Sequence, residues 1–160
     1  MLKPAICYKE QLEKALERYF YSKEMMYFQG LYNMNYLLSI DSKCEGGRKQ
    51  FAVVSDIDDN KLIGYIDYIE DLYSSCVRSF GAWGFENNPT MGKDLYELLE
   101  TLVKKYHRVE FRAVSGNPAI RGYDAFLKKH EDIGKKHILT DVFKDEDGIY
   151  HDNYIYEFVK

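Results

Sequence analysis

The stretch from Cys76 to Ser115 constrains this chain more than any other. Two runs of β-branched and aromatic residues, Cys76–Phe85 (CVRSFGAWGF) and Val109–Ser115 (VEFRAVS), enclose a segment in which Leu95, Leu98, Leu99, Leu102 and Val103 recur at i, i+3, i+4, i+7 and i+8. That spacing is the one-sided stripe of an amphipathic helix. Asn87-Asn88-Pro89-Thr90 punctuates its start, and Lys104, Lys105 and His107 sit near the negative end of its dipole. Strand, helix and strand in that order make a crossover, which requires a sheet with a helical layer packed on it.

The flanking segments extend this frame. Pro4–Tyr8 reads as a first short strand, and Leu12, Ala15, Leu16, Tyr19 and Phe20 repeat the helical stripe. Met25–Leu38 reads as a second, broken helix around Gly30, and Asp41–Lys49 as a loop. Gln50–Ser55 and Leu62–Glu70 read as strands of a hairpin that lead into Cys76–Phe85 as a meander. After Gly116-Asn117-Pro118 a further helix buries Ile120, Tyr123, Phe126 and Leu127, with Pro118 suited to its first position. Ile133–Phe143 and Ile149–Val159 close the chain as a hairpin around Asp147-Gly148. The expected fold is mixed α/β, with a largely antiparallel sheet flanked by helices in the order β-α-α-β-β-β-α-β-α-β-β. Residues 1–160 carry no internal repeat or linker and read as one domain.

Composition narrows the function. With 160 residues, 46% of them hydrophobic, the chain can bury roughly 68–70% of its unfolded surface without disulfides or a structural metal. A net charge of -4 disfavours nucleic acid as a partner. Cys7, Cys44 and Cys76 are odd in number and lack C-x-x-C spacing, as in a reduced intracellular protein. No run approaches the ~18 apolar residues of a spanning helix, so the chain is expected in the cytoplasm, off the membrane. The 15 tyrosines combine an apolar body with a hydroxyl and suit the lining of a half-wet cleft.

Several chemistries fail on spacing. Gly92-Lys93 ends like a phosphate-binding P-loop, but position 87 is Asn87 and Asp94 stands where a magnesium-binding hydroxyl belongs. Asp56, Asp58 and Asn60 copy the start of a calcium loop, yet Lys61 replaces its glycine and Asp67 its bidentate glutamate, so a turn is the better reading. His107, His130, His137 and His151 lie in separate elements, and no metal is expected. What remains is the turn from Glu86 to Gly92 at the start of a helix. Unpaired N–H groups at such a terminus favour a phosphate, and Gly92 lets the backbone come close.

The order of elements, together with these residues, resembles the GNAT superfamily of acyl-CoA-dependent N-acetyltransferases over nearly the whole chain. Leu62-Ile63-Gly64-Tyr65 is similar to the family's glycine-containing third strand. The pyrophosphate loop, Q/R-x-x-G-x-G/A, falls on Asn87–Gly92 and keeps only Gly92 of its marked positions. Asn117, followed by Ala119 and Tyr123, is similar to the N-x-x-A-x-x-x-Y segment, with Tyr123 one position early and Asp124 in the expected place.

The resemblance implies direct transfer of an acetyl or other acyl group from acetyl-CoA to a primary amine of a small molecule or peptide. Ala82, Trp83 and Gly84 would pair with pantetheine, and Asn88, Thr90, Met91, Gly92 and Lys93 would hold the pyrophosphate. Tyr123 would protonate the leaving thiolate beside Asn117. Many family members carry a glutamate on the strand that is here Cys76–Phe85, which has no acid; Asp67, Glu70 or Glu86, acting through water, are the candidate bases. The pantetheine arm needs a slot, expected where the third and fourth strands part around Trp83. The degenerate loop, the shifted tyrosine and the missing carboxylate also fit a GNAT-like binding module that has lost catalysis. The aromatic segment Tyr19–Tyr36 fits a protein-docking face, as in a homodimer, and Met25–Leu38 would border the acceptor side in this architecture, which suits a hydrophobic or aromatic amine.

Overall fold

A computed structural model describes residues 1–28, 39–42, 45–56 and 61–160. One seven-stranded sheet runs in the order β1-β2-β3-β4-β5-β7-β6. Its strands are β1 (Leu2–Pro4), β2 (Arg48–Val54), β3 (Leu62–Asp71), β4 (Cys76–Gly84), β5 (Arg108–Val114), β6 (Gly134–Lys144) and β7 (Tyr150–Val159). Every pairing is antiparallel except β4 with β5. The helices are α1 (Lys9–Phe20), α2 (Pro89–Lys105) and α3 (Ile120–Lys129). The mixed α/β expectation holds, and α2 is the crossover between the parallel pair.

Two local readings change. The first strand ends at Pro4, paired with Phe51, and Ala5–Tyr8 forms a short 3-10 turn instead. Proline lacks the N–H that a ladder needs, and Ala5 turns into the core. Lys23–Phe28 is likewise 3-10 rather than α-helical, and the rest of the expected second helix, residues 29–38, lies outside the described residues. Cys44, Asp58 and Asn60 also lie outside them.

The sheet separates two cores because successive side chains on a strand point to opposite faces. On one face Ile66, Phe80 and Phe111 pack with Leu99, Leu102 and Val103 of α2 and Phe126 of α3. On the other, Leu12 and Leu16 of α1, both fully buried, pack on Ala52, Val54, Tyr65 and Trp83. Each such leucine contributes about 1.5–3 kcal/mol by burial. Gly64 permits a close approach between layers: an added Cβ would lie 2.7 Å from Met91 Sδ and 2.7 Å from the Trp83 carbonyl oxygen. The first turn of α2 thus rests directly on β3.

Candidate active site

The site is made where the sheet opens. β4 and β5 pair at Cys76↔Arg108, Val77↔Val109 and Phe80↔Phe111, with no pairing beyond, although β4 continues to Gly84 and β5 to Val114. The register slips between Val77 and Phe80, where Ser79 takes a positive φ of 51°. A bulge of this kind bends its strand and adds twist. The slot therefore lies between the fourth and fifth strands. The expected parting of the third and fourth does not occur: their antiparallel ladder shifts register between Asp67 and Ile69 but pairs again from Asp67↔Gly81 through Tyr65↔Trp83 to Gly64↔Gly84.

A cleft of about 1340 Å³ passes through this opening and reaches both faces of the sheet. Ala82 and Gly84 line it from β4, and Asn88, Met91 and Gly92 from the turn and first helical residues of α2. Asn117 and Tyr123 line it from the far side of the gap. With Glu86, eight of the candidate site residues read from the sequence thus converge on one cavity. Trp83, Thr90 and Lys93 do not line it. Trp83 is fully buried against Tyr65 on the α1 face, with ring centroids 5.3 Å apart. Thr90 is buried, and its hydroxyl donates to Asp56 Oδ1, tying the start of α2 to the turn that follows β2. Lys93 is exposed.

Local chemistry explains the turn. Asn88 adopts an extended backbone, its Oδ1 accepts from the Thr90 N–H at 3.0 Å, and Pro89 occupies the first helical position. This is a capped helix start whose positive dipole end faces the cleft. A Cβ placed on Gly92 meets nothing within 4 Å, so its backbone stands open. Across the gap, Gly116 has φ 86°, a left-handed conformation that glycine adopts without strain. Asn117 Oδ1 then accepts from the Ala119 N–H at 2.9 Å, starting the turn into α3.

Tyr123 packs with its ring tilted against Phe111, centroids 4.8 Å apart, and against Tyr156 at 5.6 Å. None of the hydrogen bonds among the described residues engages its hydroxyl. Burial raises its pKa well above the usual phenol value, so the group stays protonated at neutral pH. Asp124 accepts from Lys136 Nζ and the Tyr156 hydroxyl, each at 2.8 Å, and is not part of the cleft lining. The one-residue offset seen in the sequence therefore leaves the phenol, not the carboxylate, at the cavity.

Asp67 and Glu70 are not brought to the cleft. Asp67, 1% exposed, takes Arg48 Nε at 2.8 Å and Nη2 at 2.6 Å, and Arg48 also donates to the Tyr65 hydroxyl at 3.2 Å. Glu70 accepts from the Tyr106 hydroxyl and from Lys105 Nζ, and faces Lys49 Nζ at 3.4 Å. Burial alone would raise the pKa of Glu70, but these partners outweigh it and hold the carboxyl below its usual range. Glu86 does line the cleft, bound to Lys61 Nζ at 2.6 Å, which lowers its pKa.

Sequence reasoning missed the α1 wall. Gln11, Lys14 and Arg18 line the cleft at i, i+3 and i+7, beside the apolar stripe that was read. Tyr19, Tyr27 and Phe85 add an aromatic border. Burial, then Glu24 and Tyr27, pushes Tyr19 up to about 12. No group of three or more His, Cys, Asp or Glu side chains that could hold a metal ion occurs among the described residues, and no described helix is long and apolar enough to cross a membrane.

A seven-stranded sheet that opens beside its one parallel pair, with a capped helix at the opening, is the fold of the GNAT acetyltransferases. Among solved structures, smu.2055 from Streptococcus mutans UA159 superposes with a TM-score of 0.63 at 21% identity, over 99% of this chain and 98% of that one. A chimera of the spermidine N-acetyltransferase from Vibrio cholerae and hSSAT gives 0.63 at 15% identity, over 99% and 94%. A probable acetyltransferase of the GNAT family from Chromobacterium violaceum gives 0.57 at 15% identity, over 94% and 79%. No family model and no curated protein matches the sequence. The likeness is one of fold.

Proposed function

We propose that the chain is an acyl-CoA-dependent N-acyltransferase that moves an acetyl or related acyl group from acetyl-CoA to a primary amine. The opening between β4 and β5 carries this reading, because it links the capped start of α2 to the opposite face of the sheet through one cavity. At about 1340 Å³ the cleft exceeds the ~300–1,000 Å³ of an ordinary small-molecule site, leaving room for an elongated co-substrate and an acceptor together.

In this reading the pyrophosphate rests against the backbone of Met91 and Gly92, helped by the helix dipole. Pantetheine lies along Ala82 and Gly84, where β4 has lost its β5 partner, and Asn117 supplies a polar neighbour. The neutral amine attacks the thioester carbonyl carbon, the C–S bond breaks, and the thiolate takes the proton of Tyr123. The proton released from the new amide nitrogen leaves through water, since Asp67 and Glu70 are engaged elsewhere and Glu86 is held by Lys61. Catalysis then rests on placement of the two reactants and on the phenol.

Because the described cleft offers no unpaired carboxylate near Tyr123, a second reading is kept: an acyl-CoA-binding module without turnover. Release of free thiol from acetyl-CoA across a panel of primary amines separates the two. Amine-dependent release supports the enzyme; saturable acetyl-CoA binding with no release for any amine supports the module.

A further inference from the structure

The α1 wall of the cleft carries two exposed cations that the proposed co-substrate placement does not use, Lys14 in mid-helix and Arg18 in the last turn, where the helix dipole also favours a positive charge. Lys14 and Arg18 stand one turn apart on the same side of α1, and both line the cavity. Like charges at i, i+4 are mildly unfavourable on a helix, the reverse of the Lys9–Glu13 pair at 3.8 Å on the same element. Neither cation has an acidic partner among the described residues. Arg18 Nε instead donates to the Lys14 carbonyl at 3.3 Å, which holds the guanidinium along the helix beside the lysine. The carboxylates of the lining are Glu86, bound by Lys61, and Glu24. Because α1 packs on the sheet face opposite α2 and α3, this wall borders the end of the cleft away from the face that α2 covers.

From this arrangement, and resting on the acyltransferase reading, we infer that the acceptor is an amine that also bears an anionic group, a carboxylate or phosphate, seated on Lys14 and Arg18. Arg18 supplies a planar fork and Lys14 a point charge, the pairing that suits such oxyanions. Tyr19, Tyr27 and Phe85 beside them favour an acceptor whose body is aromatic or apolar. The anion anchors one end, and the amine extends through the opening toward the thioester near Tyr123.

The test compares para-(aminomethyl)benzoate with para-methylbenzylamine, matched amines that differ in the carboxylate, in the wild type and in the Lys14→Gln/Arg18→Gln double variant. The wild type should favour the carboxylated amine by about tenfold or more in kcat/KM, the scale of one or two charge-assisted hydrogen bonds. The double variant should lose that preference while its Kd for acetyl-CoA stays within about twofold, a difference too small to reflect a lost phosphate contact. Equal use of the two amines, or a preference that survives in the double variant, overturns the inference. So does a double variant that binds acetyl-CoA more weakly but dephospho-CoA normally, since the pair would then serve the co-substrate's ribose phosphate. If no amine is acetylated, the acyltransferase reading fails on its own, and titration with para-(aminomethyl)benzoate alone decides the anion site. Saturable binding that the double variant loses supports it, and its absence at millimolar ligand overturns it.

Discussion

Replacing Tyr123 with Phe removes one oxygen from the centre of the proposed chemistry and leaves the packing in place. The ring keeps its tilted contacts with Phe111 at 4.8 Å and Tyr156 at 5.6 Å, and the hydroxyl has no hydrogen bond to lose among the described residues. The usual penalty of about 1 kcal/mol for deleting a hydrogen bond is therefore absent, and the melting temperature should hold within about 3 °C. The rate should fall by about 10²–10⁴, the usual contribution of a positioned general acid, or about 2.7–5.4 kcal/mol of barrier. The loss should appear in kcat rather than in KM for acetyl-CoA, because the proton is needed only as the thiolate departs. Thiol release measured beside differential scanning fluorimetry reads both quantities. An unchanged kcat would refute the assignment, and a melting point lowered by ten degrees would show that the hydroxyl is structural.

Gly64→Ala would press a methyl group against the Trp83 carbonyl and Met91 at 2.7 Å, and since the carbonyl is backbone the strain cannot relax cheaply. We expect a loss of about 1–3 kcal/mol and weaker acetyl-CoA binding as α2 shifts; wild-type melting and Kd would show the contact to be tolerant. Asp67→Asn leaves the Arg48 guanidinium without its carboxylate in a buried site and should cost about 3–5 kcal/mol in chemical denaturation. The activity of the folded fraction should be unchanged, and a large drop in kcat would restore Asp67 as a base candidate. Tyr19 and Tyr68 are each pushed up to about 12 from 10.0, chiefly by burial. Both phenols stay protonated below pH 10, while above it the unfolded chain ionises first, so stability should fall as pH rises from about 10 to 12. Urea midpoints that stay constant through pH 11 would contradict this.

The helical stripes and the crossover were legible because burial on one face leaves a period in the sequence. Leu95 to Val103 marks α2, and Ile120, Tyr123, Phe126 and Leu127 mark a helix phase that already turns Tyr123 toward the sheet and Asp124 away. The place where the sheet opens was not legible. It depends on a bulge at Ser79, a residue with no local signal for a positive φ, and on a parallel pairing that ends after Phe80. Asp67 looked available as a base because its partner, Arg48, lies on another strand and is set opposite only by register and side-chain reach. Lys14 and Arg18 were visible as the polar side of α1, but a polar helix face reads as solvated until a cavity is found against it.

The central claim is that the opening between β4 and β5 receives acyl-CoA. Isothermal titration of the protein with acetyl-CoA tests it most directly, repeated on a Gly92→Asp variant that sets a carboxylate at the open turn, where a Cβ meets nothing within 4 Å. The account predicts saturable one-site binding that weakens by at least about tenfold in the variant, the effect of a like charge at an anion-binding helix start. No heat at millimolar acetyl-CoA, or equal affinity in both proteins, would contradict it.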